Sequence, residues 1–241
     1  MGTSEVPVLR VESLAKSFGA LRAVDDITFC IQAGTITSLI GPNGAGKTTL
    51  LDLICGIKRP DRGKVLFQGR DITGLPPHRI ARLGVARTFQ MTRVFRRMTV
   101  WENLRAVAKG DGWQEQAYRM LDLTGLMPFT GAYAEELSYG QQRLLELVRV
   151  MMLDPQLVLL DEPAAGVNPT LRAQIFDVIE ALRERGVTFL VVEHDMNLVM
   201  RYCDVVIGLS AGRKVAEGTP QEVRNSEELL SAYFGEAVAH E

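Results

Sequence analysis

The sequence predicts an α/β protein built on a mixed sheet, with an antiparallel β region near its start and a helical segment inserted in the middle. Three observations carry that expectation. An apolar run at 36–40, a glycine-rich stretch at 41–49 and an apolar, helix-compatible run at 50–54 follow one another as strand, turn and helix. Two later runs, 157–160 and 188–192, are apolar but for Thr188, as strands buried on both faces are. Between 91 and 137 the pattern is helical only, which departs from β/α alternation and marks an insert. The chain is read as one domain over 1–241, with 1–90 and 138–241 as core and 91–137 as the helical insert.

Bulk composition narrows the function classes. The 241 residues are 46% hydrophobic and 23% charged with a formal charge of -2, so no basic footprint for nucleic acid is present. Cys30, Cys55 and Cys203 lack C-x-x-C spacing and read as small buried hydrophobes in a reducing compartment. The start of the chain lacks the basic and apolar regions of a signal peptide, and no apolar run reaches membrane-spanning length. A role at a membrane would run through a partner.

Taken in order, residues 8–14 alternate as a strand, Lys16-Ser17-Phe18-Gly19 reads as a turn with an aromatic tip, and 27–31 is a second alternating strand closed by Gly34. Phe18 is either a turn aromatic packed on the core or a platform for a purine. Gly41-Pro42-Asn43-Gly44-Ala45-Gly46-Lys47-Thr48-Thr49 fits G-x-x-x-x-G-K-[ST] in the strand–turn–helix context that gives the motif its meaning. Its glycines permit positive φ and close approach of an anion, and the helix start adds unpaired N–H donors. Lys47 supplies a positive charge near the β and γ phosphates, and the Thr48 hydroxyl can ligate Mg²⁺.

Further on, Pro60-Asp61-Arg62-Gly63 is a turn, 64–68 a strand, and Pro76-Pro77 a break. Residues 84–90 form a short strand ending in Gln90, whose amide oxygen suits Mg²⁺ or an attacking water, or else a solvated loop. Thr99 and Glu102 make a capping box, Gly110-Asp111-Gly112 breaks that helix, and a second amphipathic helix spans 113–123. Arg93, Arg96 and Arg97 read as a solvated face or a docking surface. Ser138 and Gln141 form another capping box, yet Gly140 in the first turn lowers helix propensity and suits a close backbone approach to an anion.

The strand at 157–160 delivers Asp161 and Glu162. Neighbouring side chains on a strand diverge, so the two take different tasks: Asp161 suits metal binding and Glu162 suits water activation. Asn168-Pro169 is an N-cap followed by proline at the first helical position, and Gly186 ends that helix. The strand at 188–192 leads to His194, a surface histidine or a phosphate contact. Residues 205–210 and 213–216 read as a hairpin, and 226–234 as a short helical tail.

Together these motifs, an aromatic turn, phosphate loop, glutamine, Leu-Ser-x-Gly-Gln helix start, apolar-Asp-Glu strand and histidine, resemble the ATP-binding subunits of ABC transporters over nearly the whole chain. Arg87-Thr88-Phe89-Gln90, Ala164-Ala165-Gly166-Val167-Asn168-Pro169, Val192-Glu193-His194-Asp195-Met196 and Ala232-Tyr233-Phe234-Gly235-Glu236 look like the branched-chain amino acid importer branch. The resemblance implies a P-loop ATPase of the ABC type in which two head-to-tail protomers, identical or not, enclose two ATP molecules. It assigns Phe18 to adenine, the loop from Gly41 to Thr49 to the phosphates, and Thr48, Gln90 and Asp161 to Mg²⁺. Glu162 would polarise water, His194 would contact the γ-phosphate, and Ser138, Gly140 and Gln141 would complete the partner protomer's site.

Integral membrane subunits, and indirectly a periplasmic binding protein, follow as partners, with the chain on the cytoplasmic face of the plasma membrane. Three departures stand out. Tyr139 replaces the usual glycine of the signature, Asn168 replaces a frequent aspartate, and the insert at 91–137 looks short. The competing expectations are a lipopolysaccharide-extracting exporter ATPase, a soluble ABC-type assembly ATPase, and a small-molecule phosphotransferase, which would leave the signature helix unexplained.

Overall fold

A computed structural model describes residues 6–88, 93–226, 229 and 231. The chain opens with a hairpin of β1 (Leu9–Phe18) and β2 (Leu21–Ile31). Phe18 pairs with Leu21, so 16–18 stay on the strand and the turn is only Gly19-Ala20. The expected turn at 16–19 and short second strand are therefore corrected to one long hairpin. Its alternation is broken by register shifts, with Ser13 at φ 45° and Asp26 at φ 59°, and such bulges conceal strand length in the sequence.

Next come β3 (Ile36–Ile40), α1 (Lys47–Ile54), β4 (Arg62–Phe67), β5 (Arg70–Asp71), α2 (Pro77–Arg82) and β6 (Val85–Arg87). The proline pair read as a break is a helix start instead: Pro76 is the N-cap and Pro77 fills the first turn, where a missing N–H costs nothing. The helical stretch contains α3 (Val100–Arg105), α4 (Trp113–Leu123) and two 3₁₀ turns, followed by α5 (Tyr139–Met151). Both capping boxes, Thr99 with Glu102 and Ser138 with Gln141, form as expected. Asn103, wholly buried, donates to the carbonyls of Phe95, Met98 and Thr99 and accepts from the Phe95 N–H, so one amide organises the loop before α3.

The remaining elements are β7 (Leu157–Asp161), α6 (Pro169–Glu184), β8 (Thr188–Val192), α7 (Met196–Tyr202), β9 (Val205–Ser210), β10 (Arg213–Gly218) and α8 (Pro220–Arg224). Most of the tail expected to be helical lies outside the described residues.

The strands form two sheets. One is antiparallel, in the order β2-β1-β4-β5; the other runs β10-β9-β3-β8-β7-β6 and is parallel except at its β10 edge. Strands β3, β7 and β8 are buried along their whole length, as central parallel strands must be. Two apolar cores result. One packs α1 and the antiparallel sheet against one face of the parallel sheet; the other packs α5, α6 and the helices at 100–123 against the opposite face. A carboxylate ties the sheets together. Asp25 on β2 accepts from Arg213 Nε at 2.9 Å, and its N–H donates to Gly212 O at 2.7 Å. The Arg213 hydrogen bond, outweighing partial burial, holds the Asp25 carboxyl below its usual range.

Burial pushes the thiols of Cys55 and Cys203 up to about 12, whereas Cys30 is partly exposed. A disulfide reagent at pH 8 is therefore expected to label Cys30 alone in the folded protein and all three thiols after denaturation, read by thiol titration. Fast labelling of Cys55 or Cys203 without denaturant would overturn this. Unfolding returns both thiols to their usual 9.0, so from pH 9 towards 12 the unfolded chain binds fewer protons and stability falls.

Candidate phosphate-binding and catalytic site

The ends of β3, β7 and β8 lie side by side, the edge at which open α/β sheets bind ligands. From β3 the chain enters the loop at 41–46, and α1 begins at Lys47. Gly46, at φ 99°, is the N-cap and offers no side chain, and no acidic residue lies in the first turn of α1. The start of α1 is thus capped by no side chain at Gly46 and carries no nearby acid, an arrangement that favours an anion. Lys47 Nζ lies across the loop, donating to the carbonyls of Gly41 at 2.6 Å and Pro42 at 2.8 Å.

The loop is gripped from behind. A Cβ on Gly46 would lie 2.2 Å from the Ala23 carbonyl oxygen, and one on Gly41 2.2 Å from that of Leu209. The Gly212 N–H also donates to Ala45 O at 3.2 Å. Only glycine fits at 41 and 46, for reasons of space as well as φ.

In front of the loop lies an open cavity of about 360 Å³, lined by Asn43 to Thr49 and by Phe18, Leu21, Ala23 and Glu162. Phe18, at the end of β1, is 44% exposed, with Lys16 Nζ 5.6 Å from its ring centroid. An exposed ring beside a phosphate loop fits a stacking platform better than a core aromatic. Glu162 follows β7 at φ 49°, a rare conformation for a non-glycine residue, and its N–H donates to Val192 O at 3.1 Å. The backbone there turns the side chain towards the cavity while Asp161 stays buried.

His194 Nδ1 is 4.0 Å from Glu162 Oε1 and 3.7 Å from Glu193 Oε1. Glu193, buried, accepts from the N–H groups of His194 at 2.9 Å and Asp195 at 3.1 Å. Asp195 caps α7 and pairs with Arg172 on α6 at 2.7 Å, so the backbone around His194 is fixed on both sides.

Asp161 accepts from Arg87 Nη2 at 3.0 Å, and the same guanidinium reaches Asp52 on α1. Burial pushes the Asp161 carboxyl above its usual range, with Arg87 pulling the other way. Thr48 and Asp161 both offer hard oxygens, the donor type Mg²⁺ takes. Among the described residues no cluster of three or more His, Cys, Asp or Glu could hold a metal alone. That donor set fits a cation shared with phosphates, the usual mode for Mg²⁺.

Gln90 lies outside the described residues. Ser138, Gly140 and Gln141 do not line the loop's cavity; Ser138 and Gln141 line a separate groove with Asn168 and Leu171. Gly140 is buried, and a Cβ there would fall 1.7 Å from Leu171 Cδ2. The glycine thus has a packing reason inside the chain that the sequence did not disclose. Sequence reasoning also missed Glu193, Arg87 and Asp52. The signal was present for the last two: each is a charge set within an apolar run, and buried charges require partners.

A strand–loop–helix phosphate cradle facing an apolar-Asp-Glu strand defines a P-loop nucleotide-hydrolysing protein. The family model described as ABC transporter matches residues 24–165, and this chain belongs to that family. A model described as an AAA domain, putative AbiEii toxin, type IV TA system, matches only 130–201. Among curated relatives, the probable branched-chain amino acid transport ATP-binding protein LivG of Archaeoglobus fulgidus is 38% identical, covering 95% of both chains. The high-affinity branched-chain amino acid transport ATP-binding protein BraF of Pseudomonas aeruginosa is 39% identical over 96% of this chain and 99% of its own. Among solved structures, the ADP conformation of an ATP-binding cassette of an ABC transporter superposes with a TM-score of 0.88 at 33% identity, covering 95% of this chain and 99% of that one.

Proposed function

We propose that the chain is the ATP-hydrolysing subunit of an ABC importer for branched-chain or related amino acids, working as a head-to-tail homo- or heterodimer. The observation that carries the ATPase reading is the single cavity in which Phe18, the loop around Lys47 and Glu162 meet. In it the loop N–H groups and Lys47 hold the phosphates and Phe18 stacks on the base; Thr48, with Asp161 and Gln90, would hold Mg²⁺. Glu162 polarises water and His194 contacts the γ-phosphate. Charge-assisted hydrogen bonds contribute about 1.5–3 kcal/mol each, so several converging on one polyphosphate give substantial affinity.

The dimer is supported by the start of α5, where Ser138 and Gln141 line a groove separate from the cavity; with Gly140 they serve a nucleotide held by the second copy. No helix among the described residues is long and apolar enough to cross a membrane. Transport therefore requires integral membrane subunits. The Gln90 region and the helices at 100–123 dock onto them from the cytoplasmic side, and a periplasmic binding protein delivers substrate to those subunits. The relatives named above support the amino acid assignment.

The test is reconstitution in proteoliposomes with co-purified membrane subunits. Leucine-loaded binding protein is expected to stimulate ATP hydrolysis and drive leucine uptake. Stimulation by a lipopolysaccharide-type glycolipid instead would point to an exporter, and the absence of any membrane partner to a soluble assembly ATPase; either rejects the importer.

A further inference from the structure

Arg87, which no role above uses, ends β6 with its side chain only 5% exposed. Its guanidinium forks, placing Nη1 2.5 Å from Asp52 Oδ1 and Nη2 3.0 Å from Asp161 Oδ2. Both carboxylates are buried, and Lys58 pairs with Asp52 from the other side. Two cations and two anions thus alternate in one row, buried except at its Lys58 end. Such networks are weak contributors to stability, because desolvation offsets the Coulombic gain. The placement points to another reason.

Asp52 follows Thr48 by four residues on α1, so the two share one helix face a turn apart. Asp161 ends β7. By gripping both carboxylates, Arg87 fixes the face of α1 that bears Thr48 against the end of β7. It engages Asp161 through Oδ2. A planar fork can set such a spacing, whereas a lysine ammonium is a point charge on a flexible stem.

We propose that Arg87 is a positioning residue for the metal site: clamping Asp52 to Asp161 fixes the spacing of the Thr48 and Asp161 oxygens and thereby sets selectivity for Mg²⁺ over Ca²⁺. The inference rests on reading Thr48 and Asp161 as metal ligands. Mg²⁺ demands near-ideal octahedral geometry at about 2.0–2.1 Å, while Ca²⁺ accepts irregular shells at about 2.3–2.6 Å. A site with loosened spacing therefore loses Mg²⁺ preferentially. Removing the guanidinium charge alters the attraction of both dications alike, so the ratio of the two affinities isolates geometry from charge.

The experiment follows Mn²⁺ bound to the full chain with a non-hydrolysable ATP analogue, by paramagnetic resonance, as Mg²⁺ or Ca²⁺ displaces it. In Arg87→Met and in Asp52→Asn the preference for Mg²⁺ over Ca²⁺ is expected to fall roughly tenfold. Analogue binding in the presence of a chelator is expected to stay within about twofold of native, because the loop donors are untouched. Arg87→Lys should recover only part of the preference. An unchanged ratio in Asp52→Asn, full recovery by lysine, or an equal loss of chelator-insensitive binding would each overturn the proposal. Should Arg87→Met fail to fold, Asp52→Asn decides alone. If the native chain binds no Mn²⁺ in the presence of the analogue, the metal-site reading falls and this inference with it.

Discussion

Glu162→Gln is expected to slow ATP turnover by roughly 10²- to 10⁴-fold while leaving nucleotide affinity close to native. Among the described residues Glu162 is the one carboxylate lining the cavity in front of the phosphate loop, and its backbone there has a positive φ. Glutamine keeps size and hydrogen bonding but removes the charge that draws a proton from water. Binding survives because the loop N–H groups and Lys47 are unchanged. In the proposed dimer, slowed hydrolysis would keep ATP between the two copies, so size-exclusion chromatography with ATP should reveal a dimer that the native chain holds only briefly. Phosphate release at the native rate in the variant would reject the role given to Glu162.

Gly46→Ala should abolish nucleotide binding and lower stability by about 2–4 kcal/mol. The φ of 99° is strained for alanine, and the added methyl would lie 2.2 Å from the Ala23 carbonyl, a backbone atom held in the β1–β2 hairpin. Relief requires shifting the N-cap of α1 and hence the N–H groups that face phosphate. Gly44→Ala is the matched control: its φ is 79°, but a Cβ there meets nothing within 4 Å. A thermal midpoint that drops in Gly46→Ala, and that ATP no longer raises, would set it apart from the milder Gly44→Ala. Equal effects of the two would show that strain rather than space governs the loop.

The sequence displayed the parts of the fold that rest on local chemistry. Thr99 with Glu102, Ser138 with Gln141 and Asn168 before Pro169 each mark a helix start through contacts three residues apart, and all three form. The buried strands at 157–161 and 188–192 were equally plain. The long first hairpin was not, because the irregularities at Ser13 and Asp26 erase the alternation that would have announced it. Pairings across the chain were also hidden. Asp52 and Arg87 stand 35 residues apart, and Arg87 and Asp161 74 apart, so only the folded sheet brings them together. For Gly140 the residue was noticed and its intramolecular cause was not, since Leu171 arrives from another helix.

The loop's rear supports come from distant stretches: Ala23 on one side, Leu209 and Gly212 on the other. During synthesis residues 41–46 leave the ribosome early, yet the carbonyl at 209 and the amide at 212 emerge some 160 residues later. A nascent chain therefore carries the entire phosphate-binding sequence long before it owns the cradle's back wall. The cradle is complete only once residues 209–212 have packed behind residues 41–46.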